Sequence, residues 1–152
     1  MTNDDYRIEK SRASVTVVMA TGPSYTGDLF VQPYATRRSG PEQPIDVLNA
    51  EDAFVPLDCT GGMRLIATDL ISHVLVADHL DTDASVTPPV SVELGLASGQ
   101  TLVGLMLLEV SRARPRLLDF LNQTRKQFLC MRTDVGCCLV NRAQIVCARQ
   151  LD

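Results

Sequence analysis

The stretch Asp46-Val47-Leu48-Asn49 decides the fold, because the chain repeats it as Asp119-Phe120-Leu121-Asn122, 73 positions later. Other residues recur in the same order at offsets of 77 or 74 positions: Gly22, Gly27, Phe54, Leu65, Ile66 and Ile71 match Gly99, Gly104, Phe128, Leu139, Val140 and Ile145. Matches in a fixed order with small changes of offset are what a duplication leaves behind. We therefore expect residues 15–77 and 92–148 to be two divergent copies of one module.

Each copy alternates short β-rich runs with turn residues. The expected strands are 15–20, 25–34, 54–59, 63–68 and 71–77 in copy one, and 90–96, 102–110, 128–133, 137–141 and 145–149 in copy two. The repeated glycines suit a turn and a bend in the first two strands. Five short strands in about 60 residues bury too little surface as an open sheet, which favours closure into a barrel. The predicted fold class is all-β: two tandem five-stranded small barrels related by internal duplication, each with a short helical turn before strand three.

The same pattern divides the chain into four parts. Residues 1–14 form a charged N-terminal leader, 15–77 the first barrel repeat, 78–89 an acidic linker with two consecutive prolines, and 90–152 the second barrel repeat. No apolar segment follows the polar start, so no signal peptide is expected, and the longest apolar run is too short to span a bilayer. We expect a cytoplasmic protein with reduced cysteines and no membrane partner.

A family resemblance follows from the glycines and the last bend. In copy one, Val15-Thr16-Val17 leads through Gly22 to Gly27-Asp28-Leu29, and in copy two the run 139–145 contains the bend Asn141-Arg142. In this order the chain resembles the Sm-like (LSm, SH3-like) small β-barrels. It resembles more closely the bacterial small-barrel domains that carry a Leu-Asn pair before the third strand, which have no known activity. The resemblance implies that the barrels associate edge to edge and that tandem copies form pseudo-dimers or rings.

The uracil-binding residues of Sm proteins are not carried over. Those proteins hold uracil with an Asp and Asn pair before the third strand and an Arg-Gly in the final bend, whereas Asn49 and Asn122 stand in a helical insert and copy one has Ala67-Thr68-Asp69 in its bend. The repeated Asp and Asn have two interpretations: a ligand pocket present twice, or an Asp cap with an Asn that satisfies the backbone where the helix stops. We favour the structural interpretation.

Arginines give the strongest functional signal. Both copies carry them in the loop after the second strand, and the candidate ligand- or partner-binding residues are Arg37, Arg38, Arg112, Arg114, Arg116 and Arg142. Guanidinium groups contact phosphates and carboxylates through paired hydrogen bonds. The alternative is a solvated loop that keeps the protein soluble. The formal net charge of −4 argues against wholesale nucleic-acid binding, so an acidic protein partner or an anionic ligand is favoured.

No catalytic or metal-binding set is found in the sequence. Four of the five cysteines fall between residues 130 and 147 with spacings unlike those of zinc sites, and the adjacent Cys137 and Cys138 would point to opposite faces of a strand. We expect them to be buried hydrophobes, with a vicinal disulfide or redox switch as the alternative. His73 and His79 are the only histidines. The expectation is no enzyme activity, no metal and no cofactor.

The predicted function is that of a non-enzymatic structural or adaptor subunit that self-associates or docks on a larger cytoplasmic assembly. Edge strands at residues 15–20 and 145–149 are expected to supply the interface by strand addition. The alternative is an RNA- or nucleotide-binding protein that uses the arginine-bearing loops.

Overall fold

The computed structural model describes residues 11–33, 40–77, 88–108 and 116–151. The strands in these ranges are β1 (Ser11–Met19), β2 (Ser24–Val31), β3 (Phe54–Cys59), β4 (Gly62–Ala67), β5 (Ile71–Val76), β6 (Val90–Leu96), β7 (Thr101–Met106), β8 (Phe128–Thr133), β9 (Gly136–Asn141) and β10 (Ile145–Gln150). Two short helices, α1 (Pro44–Leu48) and α2 (Leu117–Gln123), precede β3 and β8, and single 3-10 turns at Thr68–Leu70 and Arg142–Gln144 precede β5 and β10. The all-β prediction is confirmed.

One antiparallel sheet holds all the described strands, in the order β10-β6-β7-β8-β9-β5-β1-β2-β3-β4. The order contains two groups of five strands with the same internal arrangement, β5-β1-β2-β3-β4 and β10-β6-β7-β8-β9. The groups meet where β5 pairs with β9, with His73 opposite Val140 and Val76 opposite Cys137.

The sheet is not closed, because its end strands β10 and β4 do not pair with each other within the described ranges. Within the described ranges β4 does not pair with β5 and β9 does not pair with β10, so the expected closure of each group into its own barrel is absent from the strand pairings. Pairing between β5 and β9 gives partners to backbone groups that closure would otherwise have had to satisfy.

Two apolar cores lie on the sheet, and β9 contributes to both. The first core is built from the first strand group and α1, but it also contains Phe128, Cys137 and Leu139 from the second group. The second core takes Cys138 and Val140 from the same strand β9. The expectation that neighbouring cysteines point to opposite faces and are buried is confirmed at this position. Because β9 packs on both faces, the second group completes the first core, whereas the second core, among the described residues, contains no residue of the first group.

The repeated glycines are needed where strands cross closely. A Cβ atom on Gly27 would lie 2.6 Å from the Asp58 carbonyl oxygen, and one on Gly104 would lie 2.5 Å from the Arg132 carbonyl oxygen. Both distances are shorter than van der Waals contact, so a side chain would push β3 away from β2 or β8 away from β7.

Some sequence boundaries are wrong in detail. β1 begins at Ser11, inside the predicted leader, because Ser11 pairs with Val31 at the far end of β2. β1 is also not an edge strand, since it pairs with both β2 and β5, so the edge predicted at residues 15–20 is wrong. β10, which covers the edge predicted at 145–149, lies at one end of the sheet. Residues 1–10 and 78–87, in the predicted leader and linker, lie outside the described residues.

We predict that Gly104→Ala lowers the free energy of unfolding by about 1–3 kcal/mol, because the new methyl group overlaps the Arg132 backbone. Gly95→Ala is the matched control in the neighbouring strand, since a Cβ there would meet nothing closer than 3.7 Å. Urea denaturation of both variants measures the difference. Equal effects of the two substitutions would contradict the close crossing of β7 and β8.

Candidate functional site

The contact between the two strand groups contains buried polar side chains that are held by specific hydrogen bonds. β5 is buried along nearly its whole length, and this includes the polar residues Ser72 and His73. The Ser72 hydroxyl lies 3.0 Å from His73 Nδ1, so the two buried polar side chains satisfy each other. We refer to the β5·β9 pairing and the side chains around it as the internal junction.

Asn141, at the end of β9, fastens one side of the internal junction. Its side chain is completely buried, and Nδ2 donates to the carbonyl of Ile71 at 2.9 Å while Oδ1 accepts from the Ala143 amide at 3.1 Å. Gln144 Nε2 donates to the Asp69 carbonyl at 3.1 Å. These bonds tie together the two 3-10 turns that precede β5 and β10, so the ends of the paired strands are held in register.

Asn49, at the end of α1, fastens the other side of the internal junction. Phe128 donates its amide to Asn49 Oδ1 at 2.7 Å, and Asn49 Nδ2 donates to the Phe128 carbonyl at 3.1 Å. The side chain thus imitates a neighbouring strand for one residue at the start of β8. We call this pair of hydrogen bonds the asparagine clamp.

The two interpretations of the repeated Asp and Asn are separated by this geometry. Asp46 accepts a hydrogen bond from the Gln43 amide at 2.9 Å, as expected of a residue in a helix cap. Asn49 also binds backbone, but that of β8 in the other strand group rather than the end of its own helix. Asn122 is exposed, and its side chain has no hydrogen-bond partner within the part of the chain that the structure describes.

The first strand group exposes the residues that match the buried ones of the internal junction. Phe128 and Leu139 are fully buried in the first core, whereas their sequence counterparts Phe54 and Leu65 are 59% and 69% exposed. Met63, the counterpart of Cys137, is also exposed. These three side chains stand on β3 and β4 at the open end of the sheet. None of the three is among the binding residues predicted from the sequence, although the 74-residue offset already pairs Phe54 with Phe128 and Leu65 with Leu139.

Most of the predicted arginine site cannot be placed. Arg37, Arg38, Arg112 and Arg114 lie outside the described residues. Arg116 is exposed beside α2, with Nε 4.0 Å from Asp119 Oδ2. Arg142 lies in the 3-10 turn before β10 and donates from Nε to the Lys126 carbonyl at 3.3 Å. The arginine site therefore stays a prediction.

The expected burial of the cysteines is confirmed at Cys137 and Cys138, is partial at Cys130, and is wrong at Cys147, which lies exposed on the end strand β10. All five are free, and burial raises the pKa of the Cys130 and Cys138 thiols to about 12. A thiol with so high a pKa is not a nucleophile at neutral pH. Among the described residues, no group of three or more His, Cys, Asp or Glu side chains is placed to hold a metal ion. None of the described helices is long and apolar enough to cross a membrane.

Comparison with known proteins adds no relative. No protein-family model matches the chain, and neither the search of the curated proteins nor that of the solved structures finds a match.

We predict that Asn49→Ala lowers the free energy of unfolding by about 1–3 kcal/mol, because it leaves the amide and carbonyl of a buried residue unpaired. Asn122→Ala is the matched control at the corresponding exposed position and should change it by less than about 0.5 kcal/mol at low protein concentration. Urea denaturation compares the two. Similar losses for both variants would argue against the asparagine clamp.

We predict that, because of His73, the free energy of unfolding decreases when the pH drops below the ordinary His pKa. Burial lowers the pKa of His73 from its ordinary value of 6.5, and its cross-strand neighbours, Val18 and Val140, are apolar. The folded state therefore favours neutral His73, so this contribution is complete above pH 6.5 and is lost as pH falls below it, at no more than about 1.4 kcal/mol per pH unit. Urea titrations from about pH 7.5 to about pH 5.5 should show a shallower dependence for His73→Gln. An unchanged slope would count against a buried neutral His73.

Proposed function

We propose that this chain is a non-enzymatic structural subunit made of two homologous small-barrel units, and that it assembles with other copies of itself through the ends of its sheet. The proposal joins the duplication read from the sequence with the open edges of the sheet.

The duplication is supported by matching features at matching places. Each strand group has the same order, each has a helix before its third strand, and each has a glycine at the close crossing of its second and third strands. In this proposal each unit is the Sm-like barrel that the sequence resembles, with its outer strands satisfied by a neighbouring unit instead of by closure on itself.

Self-association is supported by the two unpaired sheet ends. An edge strand with free amides and carbonyls pairs readily with another chain, and proteins that remain monomeric usually shield such edges. β4 instead presents large apolar side chains at its open edge, with Leu65 69% exposed and Met63 52% exposed. The observation that carries the proposal is that these are the counterparts of residues buried inside the molecule at the internal junction.

We predict that the mass of the protein in solution rises with concentration, and that Leu65→Arg abolishes this rise because it would bury a charge at the new contact. Higher salt should strengthen the association, because it makes the burial of apolar side chains more favourable and screens the repulsion between copies of net charge −4. Sedimentation velocity over a concentration series measures both effects.

Val103→Arg is the matched control, since it places the same charge on an exposed strand residue away from both sheet ends. Equal loss in both variants would mean that added charge alone disperses the protein. A wild type that stays monomeric at every concentration would overturn the proposal. Assembly that appears only with an anionic ligand, and weakens with salt, would favour the arginine-loop alternative.

A further inference from the structure

The two open edges of the sheet offer complementary hydrogen-bonding groups. The Thr68 amide donates to the Ala53 carbonyl, so Phe54 and Ala67 form a non-hydrogen-bonded pair. Because such pairs alternate with hydrogen-bonded ones along two antiparallel strands, the backbone amides and carbonyls of Met63 and Leu65 point away from β3. The β3 residue opposite Leu65 is Pro56, which needs no partner on that side.

On β10, the Leu151 amide donates to the Ser91 carbonyl, so Gln150 and Val92 form a non-hydrogen-bonded pair. Alternation then points the amides and carbonyls of Ala148 and Gln150 toward the open edge. In the internal junction Val74 pairs with Leu139 and Val76 with Cys137. The residues 74 positions away on β10 and β4 are Ala148 with Leu65 and Gln150 with Met63. If β10 of one copy paired with β4 of another in this register, the outward amides and carbonyls of the two edges would therefore face each other.

The asparagine clamp of Asn49 and Phe128 has counterparts in Asn122 and the Phe54 backbone. The start of β3 corresponds to the start of β8: the Ala53 carbonyl accepts from Thr68 as the Gln127 carbonyl accepts from Arg142. The amide and carbonyl of Phe54 therefore point away from β4, as those of Phe128 point away from β9 toward Asn49. Within the described residues, neither backbone group of Phe54 has a hydrogen-bond partner, and Asn122 has none for its side chain.

We infer that Asn122 is a docking residue that clamps the Phe54 backbone of a second copy, so that β10 of one chain pairs with β4 of the next in a head-to-tail contact. This inference rests on the proposed self-association and adds its polarity, its register and its recognition residue. The contact is heterologous, since each copy uses a different face, and successive copies therefore extend the sheet in one direction.

The register places two like charges directly opposite each other. Arg149 of one copy would face Arg64 of the next, at the place where Leu75 faces Cys138 in the internal junction. Each arginine already has a contact in its own chain, with Glu93 at 3.1 Å from Arg149 and the Tyr25 ring 5.1 Å from Arg64. Like charges opposite each other weaken strand pairing, so reversing one of the two charges tests whether the strands pair in this register.

Arg64→Glu is the first test, because it turns the repelling pair into an attracting one. We expect the dissociation constant for self-association to fall about three- to tenfold. Arg132→Glu is the control, since it changes the net charge equally on an exposed residue of β8, away from both ends of the sheet. An unchanged or weaker association for Arg64→Glu, or equal tightening by both variants, would overturn the register.

Asn122→Ala is the second test and should weaken self-association about tenfold through loss of two hydrogen bonds. Gln123→Ala, at the neighbouring exposed helical position, should leave it unchanged. An Asn122→Ala protein that associates as tightly as the wild type would overturn the docking role of Asn122.

Mixing two blocked variants tests the polarity. Leu65→Arg blocks the β4 edge, and Ala148→Pro removes an outward amide from the β10 edge, a place where proline is tolerated in strands. Head-to-tail pairing predicts that each variant alone is monomeric and that their mixture forms a one-to-one dimer. If Ala148→Pro still self-associates while Leu65→Arg does not, β4 pairs with β4, and the inference fails while the proposed function stands. If Ala148→Pro does not fold, the Asn122→Ala and Arg64→Glu measurements decide alone.

Discussion

The antiparallel pairing of β5 with β9 is the constraint on which the rest of the structure depends. It gives β9 two buried faces, supplies Phe128 and Leu139 to the first core, and leaves β10 and β4 as the ends of the sheet. A unit of about 60 residues is marginal by itself, because it buries too small a share of its surface. The internal junction eases this difficulty for the first unit, because Phe128, Cys137 and Leu139 of the second unit complete its core. The β5·β9 pairing also takes the place of the expected closure of separate barrels.

Most strands could be predicted from the sequence, because similar residues recur in the same order in both halves of the chain. Phe54–Cys59 and Phe128–Thr133 begin and end where the pattern placed them. Prediction from the sequence failed where pairing between distant strands decides the outcome. Nothing local distinguishes β1, which is central, from β10, which is an edge, since both are short β-rich runs. The role of Asn49 was equally hidden, because its partner Phe128 lies 79 residues away and is bound through backbone atoms that carry no sequence signal.

The two strand groups differ at positions where the internal junction uses polar side chains. Asn141 and Gln144, which bind carbonyl oxygens of the first unit, stand where copy one has Ala67 and Leu70. The second strand group therefore contacts the first through buried hydrogen bonds that fix the register, whereas β4 of the first group has a largely apolar edge. Hydrogen bonds to buried backbone give specificity at modest net gain in stability, while apolar area gives attraction with little preference for register.

This difference fits the different demands on the two edges. The internal junction forms within one chain, where the linker keeps the local concentration of the partner unit high, so it needs accurate register more than strong attraction. In the proposed self-association, an edge that meets a separate copy has no such help, so exposed residues such as Phe54 and Leu65 would supply the attraction. Unlimited growth from so apolar an edge would be harmful, since a flat unprotected strand is an aggregation site. In the inferred register Arg64 and Arg149, one at each open edge, would oppose pairing at close range and keep such contacts reversible.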